Sequence, residues 1–483
     1  MRLSELVQRI DHELVGQDVD ITSIVYDSRQ AEPGSLFIAV RGFRHDGHDY
    51  AAQAVANGAV ALLVERFLTD LAVPQVVVAD SRTAMGLVGA VFYGQPAQKL
   101  KVIGVTGTNG KTTTTYMIRS ILEQAGHTVG LIGTIETVVG KSSSVSERTT
   151  PESLDLQRVL AKMVEEKCTY AVMEVSSHAL ELKRTAGMHF HSGVFTNLTQ
   201  DHLDFHQTAV EYFQSKARLF KQLTGFGVIN LDDPHGRAMA AECAAPIVGY
   251  GVEQMAQVRA KDIAVNPQGA VYTLCSPWGN TSLELRLTGT FNVYNSLAAA
   301  AVCLGEGIDL ETVRRGLACL PGVPGRLELV DVGQPFTVIV DYAHTPDGLE
   351  NVLRTARGIT AGRLVVVFGA GGDRDRTKRP VMGEIAAKLA DQVIVTSDNP
   401  RGEDPAAICS AIVEGVQRIP GPVDLVVEPD RRRAIRLAVA SARPQDTVLI
   451  AGKGHETYQE IQGIRHHFDD REEARQALKE LYE

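Results

Sequence analysis

The residues whose types and spacing most directly imply chemistry are the glycine-rich turn Gly107-Thr-Asn-Gly110 and the Lys111, Thr112 and Thr113 that follow it. An apolar, β-rich run from Val102 to Val105 leads into the turn, and a helical spacing of Met117, Ile118, Ile121 and Leu122 leads out of it. Glycines let backbone N–H groups close on an anion with no Cβ in the way, and a helix start adds the positive end of its dipole. Here that predicts a phosphate cradle of Gly107, Thr108, Asn109, Gly110 and Thr113, with Lys111 reaching the terminal phosphates and the Thr112 hydroxyl meeting Mg²⁺. The match to the pattern G-x-x-x-x-G-K-[ST] is imperfect, because Val105 stands where the first glycine belongs, flanked by Gly104 and Gly107. A glycine-rich turn without nucleotide chemistry is the alternative, and a G-K-T-T run directly after a strand argues against it.

Other chemically able residues fall near predicted strand ends. The run Thr169-Tyr-Ala-Val-Met-Glu-Val-Ser-Ser-His178 reads as a buried strand with Glu174 near its carboxyl end, the edge at which parallel sheets bind ligands. Glu174 is either a Mg²⁺ ligand, direct or through water, or a solvated strand-end glutamate. After a further strand at Gly193 to Leu198, His202 sits between Asp201 and Asp204, suited to a second metal or to polarising a phosphate, with a structural histidine as the alternative. Lys216, on the amphipathic stretch Tyr212 to Phe220, reads by itself as a solvated helix lysine. Asn292 opens an alanine-rich helix, where it either offers its amide to an adenine edge or caps the helix.

Positioning these groups takes about three domains by the length prior for 483 residues. Residues 1–98 carry short apolar runs such as Ser35 to Val40 and Val76 to Ala79, which predicts a small α/β domain. Its polar loops, Tyr26-Asp-Ser-Arg29 and Gly42-Phe-Arg-His-Asp-Gly47, are either ordinary turns or a seat for an anionic ligand. Residues 99–325 make the nucleotide domain, with a mostly parallel sheet. Residues 326–483 alternate strand and helix through Thr337–Val340, Leu364–Phe368, Gln392–Thr396, Leu425–Val427 and Thr447–Ile450, which predicts a doubly wound, Rossmann-like sheet behind a hinge at Pro321 to Arg326. Polar clusters follow four of those strands, at Asp341 to Asp347, Gly369 to Arg376, Ser397 to Arg401 and Ala451 to Glu456, so one edge of that sheet is expected to be a site. The fold class is α/β throughout.

Composition narrows the function. Hydrophobic content of 44% with 22% charged residues describes a globular chain able to bury several cores. A net charge of −10 leaves no electrostatic footprint for nucleic acid or an acidic membrane, so anionic substrates need local basic groups. Six scattered cysteines without a C-x-x-C pair argue against a zinc site or a disulfide framework. No apolar run has spanning length, and a cytoplasmic location is expected.

The motifs Gly104-Val-Thr-Gly-Thr-Asn-Gly-Lys-Thr-Thr113, Met173-Glu-Val-Ser-Ser-His178, Asn197 to His206, Phe291-Asn-Val-Tyr-Asn295, Pro324-Gly-Arg326, Asp341-Tyr-Ala-His-Thr-Pro346 and Gly452-Lys-Gly-His-Glu456 occur in this order across nearly the whole chain. Together they resemble the Mur ligase family, ATP-dependent amino acid ligases of peptidoglycan synthesis. The resemblance implies a small N-terminal α/β UDP-sugar domain, a central P-loop ATPase domain and a C-terminal Rossmann-like domain for the incoming amino acid. Within the family, Asp398-Asn-Pro-Arg401 matches the members that add meso-2,6-diaminopimelate to UDP-N-acetylmuramoyl-L-alanyl-D-glutamate through an acyl phosphate.

Carried over residue by residue, the resemblance implies catalysis by Lys111, Glu174, His202 and Lys216, with ATP and Mg²⁺ as cofactors. Lys216 would be carbamylated and, with Thr112, Glu174 and His202, would ligate metal. Asn292, Arg326, Asp341 and His344 would serve ATP. Tyr26, Ser28, Phe43, Arg44, His45, Thr149, Thr150, Ser176 and Arg184 would hold the UDP-sugar substrate, and Leu182 departs from the glutamine of some relatives. Arg374, Asp398, Asn399, Pro400, Arg401, Gly452 and Glu456 would hold diaminopimelate. A monomer that handles neither nucleic acid nor membrane is expected. The rival readings are the same ligase adding L-lysine, a folylpolyglutamate-synthetase-like ligase, a kinase that stops at the phosphorylated product, and a nucleotide-gated binding protein without turnover.

Overall fold

The computed structural model describes residues 1–42, 45–199 and 205–482. Among these, the strands form three main sheets of five, eleven and six strands and one two-stranded hairpin. The first sheet runs Glu13–Val15, Gln75–Val77, Ala59–Val64, Ser35–Ile38, Ser23–Val25, parallel except at its first pair. The helix Ser81–Phe92, whose N–H groups are capped by Asp80, closes this unit.

At the centre of the second sheet lie three parallel strands, Phe190–Phe195, Lys101–Thr106 and Tyr170–Glu174. Their apolar runs are continuous because both faces are covered. Ile103, Val105, Val172 and Val194 pack with Met117, Ile118 and the alanine-rich helix Thr290–Gly305 on one side. Val102, Ala171, Met173 and Phe195 pack with Leu156, Leu160 and Met163 on the other. Two antiparallel additions extend this sheet where the sequence reading had no strands: Val258–Asn266, Gly269–Ser276 and Gly279–Leu285 at one edge, Glu136–Val139 and Ser142–Val145 at the other. Exposed polar residues alternate along them, so they carry little apolar signal.

The third sheet runs Glu328–Leu329, Thr337–Asp341, Thr447–Ala451, Leu364–Phe368, Gln392–Val395, Asp424–Val427, and only its first pair is antiparallel. The four polar clusters therefore lie at one edge, as the alternation of elements requires. The hairpin Tyr458–Ile461 and Ile464–His467 folds against that edge through a bridge from Arg401 to Ile461. The stretch expected as a hinge comes equally close: Gly325 has φ +65°, and a Cβ there would lie 2.1 Å from the backbone nitrogen of His455.

A buried ion pair fixes the third sheet to its helices. Arg431 and Asp470 have fully buried side chains and meet through two bonds of 2.7 Å, Nε to Oδ1 and Nη2 to Oδ2. The same guanidinium donates to Ala451 O at 2.9 Å and Ser397 O at 3.3 Å, so it ties two strand ends together. Removing one member strands the other charge in an apolar surround, so Asp470→Ala should destabilise this unit by about 3–5 kcal/mol. Calorimetry should show the transition of the third sheet moving down in temperature while that of the first sheet stays in place.

Candidate active site

The strand Lys101–Thr106 ends in the glycine turn, and the helix Lys111–Gln124 begins directly after it with Gly110 at the cap position and no side chain bonded there. The free N–H groups of a helix start are thus left pointing outward. The turn is held from outside: Asn197 O accepts from Thr108 N and Asn197 Oδ1 accepts from Asn109 N, both at 2.9 Å. Gly107 needs its missing side chain, since a Cβ would lie 1.9 Å from Thr196 Oγ1. Lys111 folds over the loop and donates to Gly107 O at 3.0 Å and Thr108 O at 2.7 Å. Lys216 donates to the same Gly107 carbonyl at 2.8 Å and lies 4.5 Å above the Tyr212 ring. It is 1% exposed, which overturns the solvated reading of this lysine.

Glu174, also 1% exposed, ends its strand beside the helix start. Its carboxylate accepts from Thr112 Oγ1 at 3.0 Å, Thr134 N at 2.7 Å and Thr134 Oγ1 at 3.0 Å. Among the described residues no three His, Cys, Asp or Glu side chains gather as a metal site of their own. A divalent ion here would take Glu174, Thr112, phosphate oxygens and water, a hard oxygen set that fits Mg²⁺. His202, Phe43 and Arg44 lie outside the described residues.

The third sheet reaches this cradle directly. Arg326 Nη2 donates to Thr112 Oγ1 at 3.2 Å, and Arg326 Nε is buried without a partner. Asp347 Oδ2 accepts from Asn109 Nδ2 and from Thr199 Oγ1, both at 2.9 Å. Asp341 turns inward and accepts from Leu327 N and Ala343 N at 2.8 Å, and burial holds its carboxyl above the usual range against the pull of Arg326. His344 Nδ1 bonds its neighbour Tyr342 O at 2.8 Å. Asn292 spends its amide inside the protein: Nδ2 donates to Thr288 O at 2.8 Å and Oδ1 accepts from Asn295 Nδ2 at 3.0 Å, so it is not the helix cap.

Between the first and second sheets, Tyr26 OH donates to Asp155 at 2.5 Å. Ser28 Oγ donates to Gln53 at 3.1 Å, and His45 pairs edge-on with Tyr50. Thr149 shares a 3.0 Å hydroxyl contact with Thr134, while Thr150 Oγ1 donates to Glu174 O at 2.9 Å and receives Ser176 N. Arg184 donates to Thr150 O at 3.2 Å and pairs with Glu152 at 2.9 Å. Burial pulls the Arg184 guanidinium down from its usual range, with Glu152 opposing. Arg82 at 3.7 Å and Arg148 meet the same carboxylate, so three guanidiniums surround one glutamate and leave positive charge for an anion. Leu182 merely ends the short helix Ser177–Glu181.

At the carboxyl edge of the third sheet, Asp398 and Asn399 are buried and Arg401 has φ +51°, a left-handed conformation. Arg401 Nη1 donates to Gly372 O at 2.8 Å and Nε lies 3.6 Å from Glu460. Gly371 separates Arg401 from Arg374, which is exposed; a Cβ there would lie 3.0 Å from Arg401 Nη1 and 3.7 Å from Arg374 Cγ. A Cβ on Gly452 would lie 2.5 Å from Asp398 Oδ2. Burial opposes the ionisation of Asp398, yet Lys453, Arg431 and His344 outweigh it and hold the carboxyl below its usual range. Glu456 goes the other way, raised by burial although Lys453 opposes the shift. Asn399 Nδ2 donates to Glu456 Oε2 at 2.9 Å. Pro400 gives its carbonyl to Glu403 N at 3.0 Å.

The sequence reading assigned no role to Thr134 on Glu174, Asp347 on the phosphate loop, Lys453 beneath Asn399, or Arg82 and Arg148 beside Glu152. Asp347 and Lys453 stood inside quoted stretches without a role of their own.

Family models match most of the chain: the Mur ligase family catalytic domain over residues 20–86, the Mur ligase middle domain over 105–303 and the Mur ligase glutamate ligase domain over 325–454. A relative from Geobacillus thermodenitrificans, UDP-N-acetylmuramoyl-L-alanyl-D-glutamate--2,6-diaminopimelate ligase, is 50% identical over 490 residues, covering 99% of this chain and 100% of its own. One of the same name from Clostridium botulinum is 44% identical over 488 residues, covering 100% of both chains. A solved structure of a ligase of that name is 34% identical with a TM-score of 0.72, over 100% of this chain and 99% of its own. The folylpolyglutamate synthase of Mycobacterium tuberculosis, 19% identical with a TM-score of 0.61, is alike in fold over only 77% of this chain. With identity at the level of the Geobacillus relative running the length of both chains, this chain belongs to the Mur ligase family.

Proposed function

We propose that this enzyme joins meso-2,6-diaminopimelate to UDP-N-acetylmuramoyl-L-alanyl-D-glutamate, with ATP converted to ADP and phosphate, in peptidoglycan precursor synthesis. The observation that carries the reading is the contact of two sites. Arg326 and Asp347 join an uncapped phosphate-loop helix to a sheet edge bearing Asp398, Asn399, Arg401 and Glu456. The names of the full-length relatives support the choice of substrates.

In this reading a carboxylate oxygen of the UDP-linked peptide attacks the γ-phosphorus, the bond to the β–γ bridging oxygen breaks, and ADP leaves. The amine nitrogen then attacks the acyl carbon of the resulting acyl phosphate, phosphate departs with its electron pair, and the nitrogen loses a proton. No protein nucleophile is needed, so the chain acts by positioning and by charge. Lys111, Arg326 and the helix N–H groups gather the phosphates. Glu174 and Thr112 would hold Mg²⁺, which would supply charge neutralisation on the phosphate oxygens. Lys216, against Gly107 O, would add a further ligand once carbamylated, with His202 as its proposed companion.

The residues 1–98 bind the UDP-sugar, 99–325 bind ATP, and 326–483 bind the amino acid. Around Thr149, Thr150 and Ser176, the guanidinium of Arg184 takes an anionic part of the UDP-linked substrate, with Tyr26, Ser28 and the loop at Phe43, Arg44 and His45 on the nucleotide side. Asn292, bonded inward to Thr288 and Asn295, and Asp341, bonded to the backbone of Leu327 and Ala343, serve ATP by holding the walls of its site, with His344 beside them, and Arg374, Pro400 and Gly452 complete the amino acid seat. One chain supplies every group named, so a monomer suffices. No helix among the described residues is long and apolar enough to cross a membrane. We assign the reaction to the cytoplasm, where nucleotide substrates are held.

Phosphate release should require the UDP-linked dipeptide, ATP and diaminopimelate together, and Lys111→Ala should abolish it; release without any amine would mark a kinase instead. L-Lysine lacks the distal carboxylate, so it leaves Arg401 without its partner. That guanidinium keeps 23% exposure and a bond to Gly372 O, which puts the loss at about 2 kcal/mol, the low end for an unpaired charge. Arg401→Ala should therefore shrink the preference for diaminopimelate over lysine by roughly thirtyfold. Equal use of lysine by the unaltered enzyme would reassign the amino acid and leave the ligase standing.

The contacts named between the third unit and the phosphate loop are polar and few, a joint that permits swinging at Pro321 to Arg326. Small-angle scattering should show the radius of gyration change when an ATP analogue and both other substrates are added. Identical curves in every ligation state would exclude the swing.

A further inference from the structure

Lys453 sits between two glycines in the loop after Thr447–Ala451 and is 0% exposed. A buried ammonium requires partners, and those of Lys453 belong to the amino acid site. Its Nζ donates to Asn399 Oδ1 at 3.0 Å and to Glu456 Oε2 at 3.3 Å, and lies 5.6 Å from the Tyr458 ring centre. Asn399 closes the triangle, with Nδ2 on Glu456 Oε2 at 2.9 Å, while its Oδ1 also receives Glu460 N at 2.9 Å. Both ends of the Asn399 amide are thereby used within the protein. Glu456 Oε2 carries two bonds, and Oε1 has no bond among the described residues.

We propose that Lys453 is a positioning residue of this site: through Asn399 it fixes Glu456 so that the free carboxylate oxygen meets an ammonium of the incoming amino acid. The inference rests on diaminopimelate being that amino acid. Lys453 touches the substrate nowhere in this account and acts through Glu456. The charges that face Glu456 are Lys453, Asp398 and Arg431, with the hydroxyls of Tyr342 and Tyr458. Without Lys453 the buried carboxylate of Glu456 loses its nearest cation and takes up a proton more readily, so it no longer attracts that ammonium.

The test is steady-state kinetics of the full chain across pH 6 to 9, varying each substrate in turn. Lys453→Met should raise KM for diaminopimelate about tenfold or more at neutral pH, with KM for ATP and for the UDP-linked dipeptide changed less than about twofold. The acid limb of kcat/KM for diaminopimelate should move up by about one pH unit, and Lys453→Arg should restore most of both losses. In a Glu456→Gln background, Lys453→Met should add less than about threefold, because no carboxylate is left to aim. Should Lys453→Met fail to fold, Lys453→Gln, which keeps a donor and loses the charge, carries the same comparison. A uniform rise of all three KM values, an unmoved acid limb, or an undiminished effect on Glu456→Gln would overturn the proposal and leave Lys453 a structural staple. Turnover with lysine but not diaminopimelate in the unaltered enzyme would instead overturn the substrate, and the same variants assayed with lysine then decide the role of Lys453.

Discussion

An uncapped helix start governs this molecule. The helix Lys111–Gln124 leaves its first N–H groups without a side-chain cap, a state that costs free energy until an anion arrives. The surrounding structure holds that end open. Thr196 and Asn197 brace the turn from the neighbouring strand, Glu174 pins Thr112 from beneath, and Lys111 and Lys216 converge on the single carbonyl of Gly107. The carbonyl of Gly107 thus holds two lysine side chains of the cradle in place.

Most of the frame that carries this end was legible in the sequence. The runs at Val102 to Val105, Leu364 to Phe368 and Val448 to Ile450 are apolar at every position because the sheets are covered on both faces, and such runs survive without tertiary knowledge. The strands from Val258 to Leu285 were not legible, since their outward residues are polar and their pairing partners are one another. The site divides the same way. The turn from Gly107 to Thr112 is local and could be read; Thr134 comes to Glu174 from 40 residues away, and nothing near it in the chain announces a carboxylate. Lys453 was hidden for a different reason: a lysine between glycines reads as solvent-facing, and its burial comes from Asn399, distant in the chain, and the ring of Tyr458.

The amino acid edge shows why burial and charge have to be balanced there. Asp398 and Glu456 lie close together yet are driven in opposite directions: burial at Asp398 is outweighed by Lys453, Arg431 and His344, which lower it, whereas Glu456 is raised by burial with Lys453 opposing. Two carboxylates with separated affinities for a proton can do different work at one pH. The Arg431–Asp470 pair underneath makes this affordable, because it holds the ends of two strands against Asp398 and keeps its own charge satisfied.

The two sites are also linked through a stack of side chains. Arg326, bonded to Thr112 in the cradle, lies 4.7 Å above the ring of Tyr342, and that ring also meets His344 at 4.6 Å and, at 4.9 Å, His455, the residue next to Glu456. Burial, with Arg326 nearby, pushes the His455 imidazole down to about 3, so it is neutral at neutral pH. That neutrality matters. A second cation in the stack would compete with Arg326 for the phosphate charge and would pull Glu456 away from the ammonium it is set to receive. With His455 neutral, the guanidinium of Arg326 against the Tyr342 ring faces the Thr112 hydroxyl and the carboxylate of Asp341, so this ring lies between the phosphate cradle and the residue next to Glu456.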